Sequence, residues 1–391
     1  MATVRKRGNS YQIRVSAGYN TKGEQVVRSK TWKPDPTMTE RQIQKEVQKQ
    51  ALQFEDECLR GLAPEAVKFE ELAEKWLNEH AELNLRKNTI AKCKQMTKRV
   101  YPAIGHLRMD KITPLHIQDF VNDLALNGKN VVTGAPLSEK TVIHHLTFIS
   151  DVFNYAVRLG MVEENPCRRV VCPKNKPKEK EIYTVEEIKS ILSLLETEKF
   201  EYRAFFTLAI FSGFRRGELL GLEWKDVDWD NNIVTVRRTA NYTSVSGNFT
   251  DTTKTKKSQR SIRFAPEIIE LLRQYKAYQD ENRAMIGSKW VDTDRIFTRW
   301  NGESMGTHTP YGWWKKFTAK NGLRFCDIHS LRHFHASILI DSGVDLTTVS
   351  REMGHSTVST TANIYCHQLE LAQAKTSEVM STALLSQKSV S

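Results

Sequence analysis

Arg215, Lys254, His329, Arg332, His355 and Tyr365 are the residues whose types and spacing point most directly to chemistry. Two arginines, a lysine and two histidines form an electropositive pocket if they converge. A phenol placed in such a pocket is matched to a phosphodiester. Guanidinium forks bind phosphate oxygens in pairs. A phenol, with a pKa of about 10, becomes a useful nucleophile where cations stabilise its developing anion. Each residue sits in its own local pattern: Ser212-Gly213-Phe214-Arg215-Arg216-Gly217-Glu218-Leu219, His329-Ser330-Leu331-Arg332, Gly354-His355, and Ala362-Asn363-Ile364-Tyr365.

Taken singly, each has an ordinary structural explanation. Arg215 could be a surface arginine paired with Glu218, three residues on. Tyr365 could be a half-buried core tyrosine. Lys254 lies in a basic turn, Thr253 to Arg260, just before a strand. A lysine on such a turn can protonate a leaving oxygen, and Lys254, Lys256 and Lys257 all compete for that role. Lys256 and Lys257 also suit simple contact with backbone phosphate. His329 and Arg332 share a helical face. His333 and His335 follow and read as packing or supporting residues. His329 and His333 are spaced as zinc ligands, but the glutamate of His-Glu-x-x-His is missing and no third ligand is evident, so no metal is expected. Gly354 stops a helix running from Leu346. Ser356 to Thr361 reads as caps and turns, with Tyr365 in a short polar segment. Cys366 reads as a bystander thiol.

The elements that must position these residues fall into three blocks. In residues 1–63, Ser10–Val15 and Gln25–Trp32 alternate as strands about a turn at Asn20–Gly23, and a helix follows from about Thr39 to Arg60. Arg5, Arg7, Arg14, Arg28 and Lys30 make this small sheet basic, interleaved with Tyr11 and Trp32. It suits either a DNA groove or a solvated face. Residues 64–166 read as all-helical. Phe69, Leu72, Ala73, Trp76 and Leu77 form one apolar stripe. Leu115, Ile117, Phe120 and Leu124 form another behind Thr113-Pro114. A third starts at Ser138. Lys87 and Lys92 belong to a basic rim, a solvated helix face or a phosphate track. Residues 167–182 form a basic, proline-containing linker. From Tyr183 a capping box, Thr184 with Glu187, opens helices over 185–196 and 200–212. Arg215 then begins a helix through Leu222. Strands are expected at Ile233–Val236 and Arg260–Phe264, with helices from Pro266 to the end.

Composition agrees with a polyanionic partner. The 391 residues carry 58 Lys and Arg against 46 Asp and Glu, a net charge of +12. No apolar run approaches the ~20 residues of a membrane span, and the basic N-terminus lacks the apolar stretch of a secretory signal. Six cysteines without a Cys-x-x-Cys pair point to reduced thiols in a cytoplasm.

The combined motifs resemble the tyrosine recombinase family, in particular integrases of phages and conjugative transposons. The His-x-x-Arg, Gly-His and Tyr boxes match His329, Arg332, His355 and Tyr365. The family's Thr-Gly-x-Arg-x-x-Glu-Leu box is present with Ser212 for threonine and Arg215 in register. The hairpin lysine maps to Lys254, with Arg263 where a proline is usual. The resemblance implies a multidomain fold: a small α+β arm-type DNA-binding domain (a three-stranded sheet plus helix), an all-α core-binding domain, and a mainly α catalytic domain over 183–391 with a C-terminal tail.

It also implies a role for each residue. Tyr365 attacks, leaving a 3′-phosphotyrosyl bond and a free 5′-hydroxyl. Arg215, Arg332 and His355 hold the non-bridging oxygens. His329 assists proton removal from the phenol, and Lys254 protonates the leaving oxygen. Neither a nucleotide nor a metal cofactor is needed. The implied partners are double-stranded DNA with core and arm sites, three further copies in a homo-tetramer, an excisionase and a host DNA-bending protein. The implied setting is the bacterial cytoplasm, at the nucleoid. A tail from Gln368, with Leu371, Val379, Leu384 and Leu385, could dock on a neighbour. The rivals are a type IB topoisomerase-like relaxing enzyme and a non-catalytic DNA-binding protein.

Overall fold

The computed structural model describes residues 2–19, 23–59, 67–174, 181–243, 246–252 and 259–365. The three candidate lysines (Lys254, Lys256 and Lys257), most of the turn at 20–23, linker residues 175–180, Cys366 and the tail lie outside the described residues. The chain divides into two compact units, Met1–Pro177 and Lys178–Ser391.

The first unit opens with strands β1 (Thr3–Arg7), β2 (Ser10–Tyr19) and β3 (Gln25–Trp32), antiparallel in that order. Ile13 pairs with Lys30 and Val15 with Arg28, so these four side chains share a face. Helix α1 (Glu40–Leu59) covers that face, burying Ile13, Val15, Ala51, Phe54 and Cys58 together. The register divides the basic residues of the sheet. Arg5 pairs with Gln12 and Thr3 with Arg14, so Arg5, Arg7 and Arg14 point away from the helix and are exposed. Arg28 and Lys30 are half-buried on the helix side, and the Lys30 ammonium lies 5.8 Å from the centre of the Phe54 ring.

Helices α2 (Phe69–Lys75), α3 (Glu82–Asn84), α4 (Lys87–Val100), α5 (Pro114–Asn127) and α6 (Glu139–Arg158) complete the unit. A π-helical turn, Trp76–Ala81, joins α2 to α3. Thr113 caps α5 by accepting from the His116 amide, with Pro114 in the first helical position. Ile117, Phe120, Val121 and Leu124 form its buried stripe. Leu115 was expected in that stripe and is instead 65% exposed; two residues before Ile117, it falls off the i, i+3, i+4, i+7 face. Lys87 and Lys92 are exposed on α4.

The second unit contains α7 (Val185–Leu195), α8 (Phe200–Ser212), α9 (Arg216–Leu219), strands β4 (Val227–Asp228), β5 (Ile233–Val236), β6 (Arg238–Thr243), β7 (Gly247–Thr252) and β8 (Arg260–Arg263). Helices α10 (Pro266–Ile286), α11 (Thr309–Lys320), α12 (Ile328–Asp341), α13 (Leu346–Glu352) and α14 (Val358–Ile364) follow. The expected capping box is present: Thr184 accepts from the Glu187 amide and Glu187 accepts in return. From Ala204 to Ile210 helix α8 is buried on every face and is therefore central. Phe205 and Phe206 are fully buried, in contact with Phe297 and Trp314. Strands β4, β5 and β8 form one antiparallel sheet, and β6 with β7 form a separate hairpin.

Three features depart from the sequence expectation. Helix α9 is a single turn that ends before Leu222. The hairpin β6–β7 appears where no strand was expected. Helix α14 occupies part of the stretch read as caps and turns. Among the described residues no helix is long and apolar enough to cross a membrane.

Candidate active site

Arg215 stands at the N-terminus of α9. Glu218, in the first turn of that helix, accepts from the Arg215 amide and from its Nη1, each at 2.8 Å. Arg215 Nη2 donates to the Gly354 carbonyl at 3.2 Å. The side chain remains 40% exposed, so it can still meet a ligand.

Arg332 is placed differently. It projects from α12 and is 2% exposed. It donates from Nη1 to the Gly213 carbonyl at 2.6 Å and from Nη2 to the Met353 carbonyl. One guanidinium thus ties the end of α8 to the end of α13. The geometry needs Gly213, whose φ of +59° is left-handed; a Cβ there would lie 2.7 Å from the His335 ring. Burial, and then Arg215 beside it, push the Arg332 pKa down to about 9, which leaves it protonated at neutral pH.

His355 follows Gly354 and is half-buried, with Nδ1 2.7 Å from Thr361 Oγ1. Thr361 is fully buried on α14, and its carbonyl accepts from the Tyr365 amide. The His355 pKa is pushed down to about 4, first by burial and then by Arg332, Arg215 and Arg260. The ring is neutral at neutral pH.

Tyr365, at the C-terminal end of α14, is 1% exposed and packs with Ala336, Ile340, Val349 and Met353. Its Oη lies 2.9 Å from His333 Nδ1. Burial raises the phenol's pKa, and the Arg332 charge opposes the rise. His329 is exposed, its ring 4.8 Å from that of His333 and nearly perpendicular to it. The phenol therefore rests on His333, which was expected only to pack or support. Among the described residues, no group of three His, Cys, Asp or Glu side chains is placed to hold a metal ion.

A scan against protein families matches residues 181–371 to the phage integrase family and residues 68–125 to the phage integrase N-terminal SAM-like domain. A tyrosine recombinase XerC-like protein of Caldanaerobacter subterraneus subsp. tengcongensis is 33% identical over 67% of this chain and 68% of its own length. The chain belongs to the phage integrase family of tyrosine recombinases. It is a site-specific recombinase, an enzyme that cleaves and rejoins DNA strands. The ICEBs1 integrase of Bacillus subtilis is 30% identical over 66% of this chain and 68% of its own length. Among solved structures, the Tn1549 transposon integrase in complex with a circular intermediate DNA shares the fold. Its TM-score is 0.67 at 18% identity, over 80% of the recombinase and 99% of that chain.

Two residues of the recombinase site escaped sequence reasoning. Arg260, the first residue of β8, donates from Nη2 to Glu218 Oε2 at 2.8 Å. Thr361 reaches His355. Arg260 lies 42 residues from Glu218, so no local pattern signals the pair. The hairpin leading toward Lys254 is also anchored by charge. Arg238 on β6 donates to Asp226 at 2.5 Å, and Arg295 donates to Thr250 of β7 at 2.6 Å.

Glu218 is the carboxylate shared by Arg215 and Arg260. Burial alone would raise its pKa, but the hydrogen bond and charge of Arg260, with Arg215, override this and hold it at about 2. A carboxyl whose folded pKa is depressed contributes stability above its unfolded pKa and loses it as pH falls through the folded value. The recombinase with Glu218→Gln should lie about 3 kcal/mol below wild type at pH 7, the difference between an ordinary carboxyl and one held at about 2. The gap should close as pH falls from about 4.5 to about 2. Urea unfolding across that range checks it; a gap independent of pH would remove the ionised carboxylate from the account.

Proposed function

We propose that Tyr365 is the nucleophile with which this recombinase forms a 3′-phosphotyrosyl bond, and that Arg215, Arg332 and His355 stabilise the phosphorane. The observation that carries this reading is the convergence of Arg332, Arg215 and His355, with Arg332 beside the buried phenol. Three guanidiniums, Arg215, Arg260 and Arg332, surround a single buried carboxylate, Glu218, which leaves an excess of positive charge. Arg215 and His355 form the accessible rim, and Arg332 backs them.

In the reaction the phenol leaves His333 and turns to the rim. Its O–H bond breaks, and His329, exposed four residues before His333, receives the proton. The phenolic oxygen bonds phosphorus as the P–O5′ bond breaks. Lys254 supplies the proton to the departing 5′-oxygen, with Lys256 and Lys257 on phosphate. The bond energy is kept in the phosphotyrosyl ester, so a 5′-hydroxyl of a second duplex reverses the step. That exchange calls for a homo-tetramer on paired sites, in the service of integrating and excising a mobile element. Double-stranded DNA is the partner; an excisionase and a host bending protein complete the assembly, in the bacterial cytoplasm. Structural neighbours support this setting: a lambda integrase dimer bound to a core site has a TM-score of 0.55 at 16% identity, and a lambda integrase tetramer bound to a Holliday junction 0.53 at 14%.

The test is a suicide duplex nicked near the scissile phosphate, carrying the element's own end sequence. Wild-type protein should accumulate a covalent adduct without added metal or nucleotide. A protein that relaxes supercoils but never joins two sites would favour the topoisomerase reading. We assign residues 1–63 to arm-type binding through Arg5, Arg7 and Arg14, with Arg28 and Lys30 supporting the sheet. Lys87 and Lys92 of the 64–166 core-binding region contact core DNA. Deleting residues 1–63 should abolish arm-site binding and spare adduct formation on core duplexes; equal loss of both would overturn the division.

A further inference from the structure

We propose that Arg260 is a positioning residue for strand cleavage: it locks the Arg215 segment to the His355 segment and supplies the third positive charge behind the phosphate site. This rests on the assignment of Arg215 and His355 to the phosphate.

Arg260 makes three unlike contacts. Its Nη2 bonds the Glu218 carboxylate, which in turn fixes Arg215. Its Nε donates to the Glu352 carbonyl at the end of α13. Its guanidinium lies 5.1 Å from the centre of the Phe214 ring, next to Arg215 in sequence. The remaining nitrogen, Nη1, is buried and has no hydrogen-bond partner among the described residues. It lies directly under Gly354: a Cβ on that glycine would come within 2.9 Å of it. Gly354 also has a φ of +61°, so both backbone and space exclude a side chain there. The strut reaches the residue before His355 because that residue is glycine.

A role in packing alone does not account for this arrangement. An apolar side chain of similar length would fill the space without the desolvation cost of a buried ion pair, and an orphaned buried nitrogen adds a further cost. Direct phosphate contact is also excluded as the group sits, since the side chain is 4% exposed. What remains is geometry and field. The groups facing His355 are Arg332 and His329 from α12, Arg215 at the start of α9, Arg260 from β8 and Thr361 from α14. Glu218 lies behind the arginines, and Glu352 on α13 faces His335. Removing the Arg260 charge therefore lets the imidazole protonate at higher pH.

The experiment uses the full chain with Arg260→Met and Arg260→Lys. Adduct formation on the nicked duplex should fall about 10²-fold in R260M, as expected for reacting groups displaced by about an ångström. R260K keeps the charge but not the fork, so it should stay well below the wild-type rate. Titration of His355 by NMR separates the two functions. The midpoint should rise in R260M and stay near wild type in R260K. The slope of duplex affinity against salt should be unchanged in both, because a buried guanidinium neutralises no phosphate.

A wild-type adduct rate in R260M, equal His355 midpoints in all three proteins, or a salt slope reduced by about one would overturn the proposal. If R260M fails to fold, R260K decides: a wild-type rate there removes the fork. Tyr365→Phe serves as the separate control. An adduct formed by that variant sinks the nucleophile assignment and leaves the His355 titration free to judge Arg260.

Discussion

Tyr365→Phe should form no covalent adduct at all, while folding and binding duplex DNA as the parent does. The chemical half follows from the missing oxygen, which in the parent lies within reach of the Arg332 charge. The structural half follows from where the ring sits. Phenylalanine keeps the apolar contacts with Ala336, Ile340, Val349 and Met353. It strands only the hydrogen bond to His333, a loss of about 1–3 kcal/mol if that nitrogen stays buried and unpaired. Mass spectrometry of the protein after incubation with the nicked duplex reads the first half, and thermal unfolding with duplex titration reads the second. An adduct in the variant would move the nucleophile elsewhere. Loss of folding would show that the phenol serves the core first.

The second large effect is expected at Arg332. Substituting lysine should lower cleavage by about 10²–10³-fold at pH 8, the scale of losing one group that stabilises the charge developing at the phosphate. Lysine cannot reach both carbonyls as the fork does, so the ends of α8 and α13 lose their common tie. The charge is also at risk. Burial and Arg215 push Arg332 itself down to about 9. A lysine starts lower than an arginine, so the same burial and the same neighbouring charge push it further toward its neutral form. Where the ammonium is lost, the site loses a charge. The deficit of R332K relative to wild type should therefore shrink as pH is lowered from about 8 to about 6. A deficit constant over that range would assign the whole effect to lost geometry.

Much of this architecture can be read from the sequence because it is written locally. The ends of α7 and α8 follow from the Thr184 and Glu187 capping box and from Gly213, whose left-handed φ ends α8. The stripes of α2 and α6 follow from helical spacing. What could not be read depends on distance along the chain. Helix α14 opens with Val358, Ser359, Thr360 and Thr361, β-branched and hydroxyl residues that are poor helix formers when considered alone. It forms because fully buried Thr361 meets His355, and Tyr365 meets His333 across 32 positions. The hairpin β6–β7 is polar in sequence, and its anchors are buried charges on Asp226 and Arg295. Spacing reads His333 as a packing or supporting residue, because it cannot say which of two neighbouring histidines reaches the phenol. The sheet of the first unit shows the same limit. Its charges were plain, but only the pairing of Ile13 with Lys30 and Val15 with Arg28 reveals which ones turn outward.

Helix α14 holds both a histidine contact and the tyrosine, and this sets an order of events. The Thr361 hydroxyl steadies His355, while the Thr361 carbonyl takes the Tyr365 amide. Releasing the tyrosine breaks only the second link. The histidine can stay aimed while the last residue of the turn swings away. If His355 holds the phosphate and Tyr365 attacks it, as proposed, phosphate capture and delivery of the attacking oxygen are separable in time: a duplex would be gripped and inspected before anything capable of cutting it arrived, and a poorly seated strand would leave intact.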